Sequence, residues 1–180
     1  MNKLLVKTGG ELSGQEIDQI NQAKAREFKT SPLNEKQLET ALFFLLLGHR
    51  KILAMGKLIP VNPVRFNKEV FSVLGIGGIL ANEKGKGNGR KIMSAIKDYL
   101  ISQDKTGVGF CGSNNKGFYE KCGFKVETAS IKRFVFQEDD RKITNSGDEC
   151  LVYSDSSDCF MEKVLLRPEQ EVMLPRPPDW

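Results

Sequence analysis

Histidine is nearly missing from this chain: His49 is the only one in 180 residues. The four cysteines, Cys111, Cys122, Cys150 and Cys159, are scattered and form no C-x-x-C pair. Together these shortages exclude a structural zinc site and predict reduced thiols, so no metal is expected. Long apolar runs are missing too. The longest, Ala41 to Leu47, is far short of the roughly 20 residues a membrane span needs, so no membrane contact is expected. The opening residues MNKLLVKTGG lack the apolar stretch of a signal peptide, which with the reduced thiols predicts a cytoplasmic protein. Charge of one sign is also scarce. The 27 basic and 23 acidic residues leave a net charge of +4, enough to suit a phosphorylated ligand but too little, and too dispersed, for a nucleic-acid partner. There is no internal repeat and no low-complexity segment.

What remains is the composition of an ordinary globular chain, 39% hydrophobic and 28% charged, long enough to bury a core. Residues 1–166 read as one domain and 167–180, with Pro168, Pro175, Pro177 and Pro178, as an irregular proline-rich tail. Leu4 to Lys7 predicts a first strand ended by Gly9-Gly10. Ser13 and Glu16 form a capping box for a helix to Phe28, with Ile17, Ile20 and Phe28 inside. Thr40 to Leu47 is a buried strand or the end of a helix starting near Glu35, and a strand from Ala41 is favoured because Gly48-His49-Arg50 reads as a hairpin turn into Lys51 to Val61. Asn62-Pro63 is expected to break that strand. Val70 to Ala81 is a central strand, apolar on both faces, and Gln137 to Asp148 reads as a polar, mobile segment. Leu151 to Tyr153 and Cys159 to Leu165 are read as two short strands. The order of elements predicts an α/β fold, that is, an α+β arrangement on a mixed sheet.

The stretch from Gly75 to Leu100, GIGGILANEKGKGNGRKIMSAIKDYL, organises the rest. Gly75, Gly77 and Gly78 lie in the strand, Gly85 and Gly87 in the turn, and Gly89 at the start of a helix whose Ile92, Met93, Ile96, Tyr99 and Leu100 form one apolar stripe. Glycine inside a strand marks a bulge or a close approach to the backbone. A glycine turn opening a helix leaves several N–H groups pointing one way with the positive end of the dipole behind them, an arrangement suited to phosphate. Further on, Asn114 to Lys121 can form a short helix, capped by Gly123 in the left-handed conformation.

Lys84-Gly85-Lys86-Gly87-Asn88-Gly89 resembles the pyrophosphate signature of the GNAT superfamily of acetyl-CoA-dependent N-acetyltransferases, Q/R-x-x-G-x-G/A, with Lys84 at the Q/R position. Asn115-Lys116-Gly117-Phe118-Tyr119-Glu120-Lys121-Cys122-Gly123-Phe124 resembles the second signature, N-x-x-F-Y-E-K-x-G-F, and is much the more specific of the two. The resemblance covers about Lys51 to Phe124 well and the flanks by topology only. It implies a mostly antiparallel central sheet flanked by helices and splayed at a cofactor cleft, with acetyl-CoA as donor. Gly77, Gly78 and Ile79 would bond the pantetheine arm and the acetyl carbonyl, and Asn115 the arm. Lys84, Gly85, Lys86, Gly87, Asn88, Gly89 and Arg90 would wrap the pyrophosphate, and Tyr119 would be the general acid.

Elementary chemistry agrees with these roles. Glycines let the backbone reach phosphate, and Lys86 and Arg90 add charge there. A free N–H at a strand bulge can hold the charge that develops on a carbonyl oxygen, and a phenol can protonate a departing thiolate. The attacking amine needs a base or water chain, for which Glu83 is the candidate. His49 reads as a solvated turn residue. Direct attack is preferred to an acyl-cysteine route through Cys111 or Cys122, since neither has a nearby histidine. A dinucleotide enzyme fails for want of G-x-G-x-x-G after the strand.

The expected function is therefore transfer of an acetyl group from acetyl-CoA to a primary amine, on a small molecule or a protein. The alternative is an acyl-CoA-binding sensor or interaction module of the same fold without transfer activity. The acceptor is not identified, and homodimer formation is left open. The FYEKCGF string looks like that of glucosamine-phosphate N-acetyltransferases, though the rest of the chain does not follow them. Glu138, Asp139, Asp140, Asp148, Glu149, Asp155 and Asp158 make the last region acidic enough to attract a cationic amine.

Overall fold

Ser13 and Glu16 start the first helix as their spacing predicts. In the computed structural model, which describes residues 2–49, 51–178 and 180 and only the backbone of 36 and 37, the Glu16 amide donates to Ser13 Oγ at 3.3 Å and the Ser13 amide donates to Glu16 Oε2 at 2.8 Å. The box satisfies two backbone donors that a helix end leaves without intrahelical partners, and α1 runs Gly14–Phe28 from it. Ile20 is fully buried. Phe28, expected inside, is 41% exposed, in the last turn before the chain leaves the helix through Lys29 at φ 53°.

The chain forms two compact units, Met1–Ile59 with Gly77–Ile96, and Pro60–Ile76 with Lys97–Trp180. The first contains β1 (Lys3–Thr8), α1, α2 (Glu35–Thr40) and β2 (Leu42–Gly48). It also takes the first part of β3 (Lys51–Phe66), the end of β4 (Glu69–Ala81) and the start of α3 (Asn88–Ser102). The ambiguous run around residue 40 is thus a helix and then a strand: Glu35 to Thr40 are helical and the pure apolar residues pair as β2. β1 and β3 flank β2 in antiparallel register, Leu5 opposite Leu45 and Phe44 opposite Gly56. His49 is exposed in the turn after β2 at φ 49°; Arg50, which completes the expected turn, lies outside the described residues.

The helix α3 buries Ile92, Met93 and Ile96 completely, the stripe read from sequence. Gly56 lets it approach the sheet. A Cβ there would stand 2.7 Å from Ile79 Cδ1 and 2.8 Å from Ile92 Cγ2, closer than carbon atoms pack, so a larger residue must displace these isoleucine side chains.

In the second unit the strands lie in the order β6-β9-β5-β4-β3-β10-β7-β8. The elements new to this unit are β5 (Thr106–Cys111), α4 (Lys116–Lys121), β6 (Lys125–Glu127), β7 (Phe134–Glu138), β8 (Arg141–Thr144), β9 (Cys150–Ser154), α5 (Phe160–Leu165) and β10 (Val172–Leu174). Most ladders are antiparallel, and β4 with β5 and β10 with β7 are parallel. The whole is a mixed α/β fold with helices flanking the sheet. No helix among the described residues is long and apolar enough to cross a membrane.

Four sequence expectations change here. β3 does not stop at Asn62-Pro63 but continues to Phe66, the Asn62 side chain accepting from the Val73 amide at 3.0 Å; a side-chain acceptor stands in where proline disturbs the ladder. The turn comes at Asn67 and Lys68, both at positive φ, the conformation that suits a tight hairpin. Residues 137–148 are not simply mobile, because β7 and β8 pair across a hairpin with Glu138 opposite Arg141. Cys159 to Leu165 is a helix rather than a strand. Phe160, Met161 and Val164 are fully buried at helical spacing, and side chains cap the helix: Asp158 accepts from the Phe160 amide and Asp155 from the amides of Met161 and Glu162, all at 3.0 Å. The Thr106 hydroxyl sits in the same corner, 3.0 Å from Asp155 Oδ1 and 3.1 Å from Asp158 Oδ1, and accepts from the Ser156 amide. The segment from Arg167, read as irregular, contains β10, whose Val172 is fully buried in the core of this unit with Phe134 and Phe160.

Candidate functional site

Most of the glycine stretch, Gly77–Ile96, lies in the first unit. Gly78 adopts φ +60° within β4, the left-handed region that interrupts a regular strand and that glycine enters without strain. Gly77 is buried, and Gly78 and Ile79 are half-buried. The turn follows at once. Gly85 and Gly87 take φ 80° and 74°, and a Cβ at either would meet nothing within 4 Å. These two are therefore glycines for conformation and not for crowding, and their backbone is open. Glu83, Lys84, Lys86 and Arg90 are exposed around them, whereas Asn88 and Gly89 are buried as α3 begins.

The first hydrogen bond of α3 runs from the Lys91 amide to the Gly87 carbonyl at 3.2 Å. The amides before Lys91 belong to the turn that an α-helix leaves without intrahelical partners, and the dipole gives this end a partial positive charge. Lys84 is engaged with Glu27 of α1 at 2.9 Å, an exposed pair of little energetic weight. The entry to the turn is pinned by a residue the sequence reading did not single out. The Asn82 amide donates to the Leu53 carbonyl at 2.9 Å, its side-chain amide donates to the Ile52 carbonyl, and its side-chain oxygen accepts from Arg26. An asparagine directly after an apolar strand was the available signal.

The second unit carries the other candidates. Asn115 is exposed, closing a single 3-10 turn at Ser113–Asn115 that leads into α4. Glu149 anchors this entry: its Oε2 accepts from the Ser113 amide at 2.9 Å, and its own amide donates to the Cys111 carbonyl. The hydrogen bonds from Ser113 hold the Glu149 carboxyl below its ordinary range. At the far end Gly123 caps α4 at φ 82°, and Lys97 of α3 donates to the Gly123 carbonyl at 2.7 Å. Tyr119 is thus carried on a short helix tied at both ends.

Tyr119 is half-buried by surface area, and its hydroxyl is held neutral well above the usual phenol range. Burial is the largest cause, followed by the charges of Cys111, Asp148 and Cys122. Burial likewise pushes the Cys111 thiol up to about 12, with Cys150 and Asp148 adding to it, so it is protonated at neutral pH and is a poor nucleophile. The sign of the stability effect follows directly. The folded chain keeps protons that the unfolded chain releases from about pH 9 for the thiol and about 10 for the phenol. This contribution to stability is complete below pH 9 and is lost as pH rises through about 12. Thermal midpoints recorded between pH 8 and 12 are expected to fall, and Cys111→Ala to flatten the early part of that fall.

A glycine turn leading into a helix, a strand broken by a left-handed glycine, and a tethered tyrosine helix belong to the acyl-CoA N-acyltransferase, or GNAT, architecture, and the chain has that fold. ElaA from Escherichia coli superposes with a TM-score of 0.62 at 17% identity, covering 86% of this chain and 100% of ElaA. YhbS from Escherichia coli, a GNAT family N-acetyltransferase in complex with CoA, gives 0.61 at 14% identity, covering 97% and 91%. An acyl-CoA N-acyltransferase from Pseudomonas aeruginosa gives 0.58 at 16%, covering 84% and 97%. At such identities the likeness is one of fold. No protein-family model and no curated protein matches the chain.

Proposed function

We propose that this chain is a member of the GNAT superfamily that transfers an acetyl group from acetyl-CoA to a primary amine. The observation that carries the reading is the turn at 84–89, where two left-handed glycines expose backbone at the positive end of a fifteen-residue helix. That set fits a pyrophosphate: helix amides without intrahelical partners, glycines with no side chain in the way, and the exposed Lys86 and Arg90 beside them. Acetyl-CoA, when bound, would supply the acetyl group already activated as a thioester.

The chain's own residues would do the rest. Gly85, Lys86, Gly87, Asn88, Gly89 and Arg90, with Lys84 at the rim, hold the phosphates. The backbone of Gly77, Gly78 and Ile79 holds the arm and the carbonyl oxygen, which suits the left-handed turn at Gly78 because it frees backbone groups from the ladder. Asn115 bonds the arm. Tyr119 donates its proton to the departing sulfur, and the burial that keeps its hydroxyl neutral keeps that proton available at every physiological pH. Direct attack by the amine fits a Cys111 thiol that stays protonated. Glu83 is retained as a candidate to take the amine's proton through water, its exposure in the turn being compatible with that route.

A thiol-release assay with acetyl-CoA and a panel of primary amines tests the reading. Amine-dependent release of CoA is the expected outcome. Saturable binding of acetyl-CoA with release to no amine, in a panel that includes polyamines, aminoglycosides, arylalkylamines and lysine peptides, would instead support a binding module of the same fold.

A further inference from the structure

Seven acidic residues in the last third of the chain were equal candidates for attracting a cationic acceptor, and their surroundings now separate them. Asp155 and Asp158 cap α5 and share the Thr106 hydroxyl. Glu149 anchors the entry to α4. Glu138 faces Arg141 across a hairpin, and Asp139 and Asp140 form its exposed tip. Asp148 is different. It lies in the loop before β9, next to Glu149, whose amide bonds the Cys111 carbonyl and whose carboxylate takes the Ser113 amide, so it stands beside the end of β5 and the entry to the helix that carries Tyr119. Its charge is felt at both of those side chains. The loop is preshaped: Asn145 Oδ1 accepts from the amides of Gly147 and Asp148, and Asn145 Nδ2 donates to Asp148 Oδ2 at 3.1 Å.

The same Asn145 amide also donates to the Pro178 carbonyl at 3.0 Å, which brings the proline segment to this loop. Two residues on, the Trp180 side chain reaches β4 and β5. Its Nε1 donates to the Val108 carbonyl at 3.0 Å, and its ring covers Gly75, where a Cβ would come within 2.6 Å of it. Phe110 packs against the indole with ring centroids 5.0 Å apart. Both rings are only half-buried. Alternation along β5 puts Val108 and Phe110 on the opposite face from Cys111. The end of β5 is therefore bordered by Tyr119 and Cys111 on one side and by an aromatic surface on the other, with one carboxylate held at its tip.

We propose that Asp148 and the Trp180–Phe110 ring pair form the acceptor subsite, which takes a primary amine carried as an ammonium on a flat apolar body, an arylalkylamine. This rests on the acetyltransferase reading for its chemistry, though amine binding itself does not depend on it. The carboxylate bonds the ammonium, a charge-assisted contact, and the half-exposed rings supply apolar area and a negative face for the body of the ligand. The carboxylate positions the amine, whose ammonium proton passes to a base or a water before the nitrogen attacks.

Trp180 is the only tryptophan in the chain, so its emission reports binding without any turnover. The full chain is titrated with 2-phenylethylamine, with 2-phenylethanol, which keeps the ring and lacks the charge, and with butylamine, which keeps the charge and lacks the ring. The expected result is saturable perturbation by 2-phenylethylamine at about tenfold lower concentration than by 2-phenylethanol, the scale of one charge-assisted hydrogen bond. Asp148→Asn is expected to raise that Kd and the acceptor KM about tenfold with the acetyl-CoA KM unchanged, and Asp148→Glu to recover part of the loss. Trp180→Ala is expected to remove the preference for 2-phenylethylamine over butylamine in KM. Equal binding of the amine and the alcohol by the unaltered chain overturns the proposal whether or not the variants fold. So does an Asp148→Asn enzyme that acetylates 2-phenylethylamine with unchanged KM, a result that leaves the acetyltransferase reading intact. Asp148-dependent binding without any acetylation has the converse meaning: the subsite stands and the transfer reading falls.

Discussion

Replacing Tyr119 with phenylalanine is expected to lower kcat roughly a hundredfold or more while the dissociation constant for acetyl-CoA stays within about twofold, the signature of losing the proposed general acid. The substitution removes one oxygen and keeps the ring, so the packing of Tyr119 against Phe118, with ring centroids 5.1 Å apart, and the tethers at both ends of α4 survive. Removing a buried hydroxyl that is held neutral strands no charge, and the fold should tolerate it. Steady-state kinetics with a thiol reporter, beside calorimetric titration with acetyl-CoA, separates the two quantities. A rate within a few-fold of the unaltered enzyme would mean that another acid, or a water, protonates the sulfur. Because the phenol stays neutral through the physiological range, no loss of kcat from ionisation of this group is expected below about pH 10.

Gly87→Asp is expected to abolish measurable binding of CoA. Two independent effects add. Gly87 sits at φ 74°, where a residue with a Cβ is strained by roughly 1–2 kcal/mol. The carboxylate would also stand at the helix end proposed to hold the pyrophosphate, where it meets like charge and occupies the donors itself. Gly87→Asn separates the two, since asparagine enters the left-handed region more readily than most residues and brings no charge. Asparagine is expected to weaken binding moderately and aspartate to eliminate it, both read by calorimetry. Unreduced affinity in the aspartate variant would place the phosphates elsewhere.

Much of this arrangement was legible in the sequence because it depends on local rules. The capping box at Ser13 and Glu16, the stripe Ile92, Met93 and Ile96, and the left-handed Gly123 each follow from spacing within one element. The glycine turn was legible for the same reason, since only glycine enters φ 80° and 74° at Gly85 and Gly87 without strain. The misreadings share another cause. Cys159 to Leu165 looks extended when judged by its own residues; it is helical because Asp155 and Asp158, outside the segment, supply the caps. Asn62-Pro63 looks like a strand end until the Asn62 side chain is found bonded to Val73. The acidic residues near the end of the chain could not be ranked from composition, since what separates Asp148 from Asp155 is which amides each has already engaged. Trp180 was hidden among prolines for a similar reason: its partner Val108 lies 72 residues away along the chain, and Gly75 farther still, so no local pattern announces the contact.

The corner at Thr106 has a meaning for how the molecule breathes. One hydroxyl, fully buried, joins the start of β5 to both carboxylates that cap α5. The amides of Phe160, Met161 and Glu162 are closed by those same carboxylates, so none can exchange its proton with water unless the corner itself comes apart. Native-state opening is drawn from regions with few such ties. The amides of α5 and the first residue of β5 are therefore expected to exchange at one common, slow rate, as a single cooperative unit.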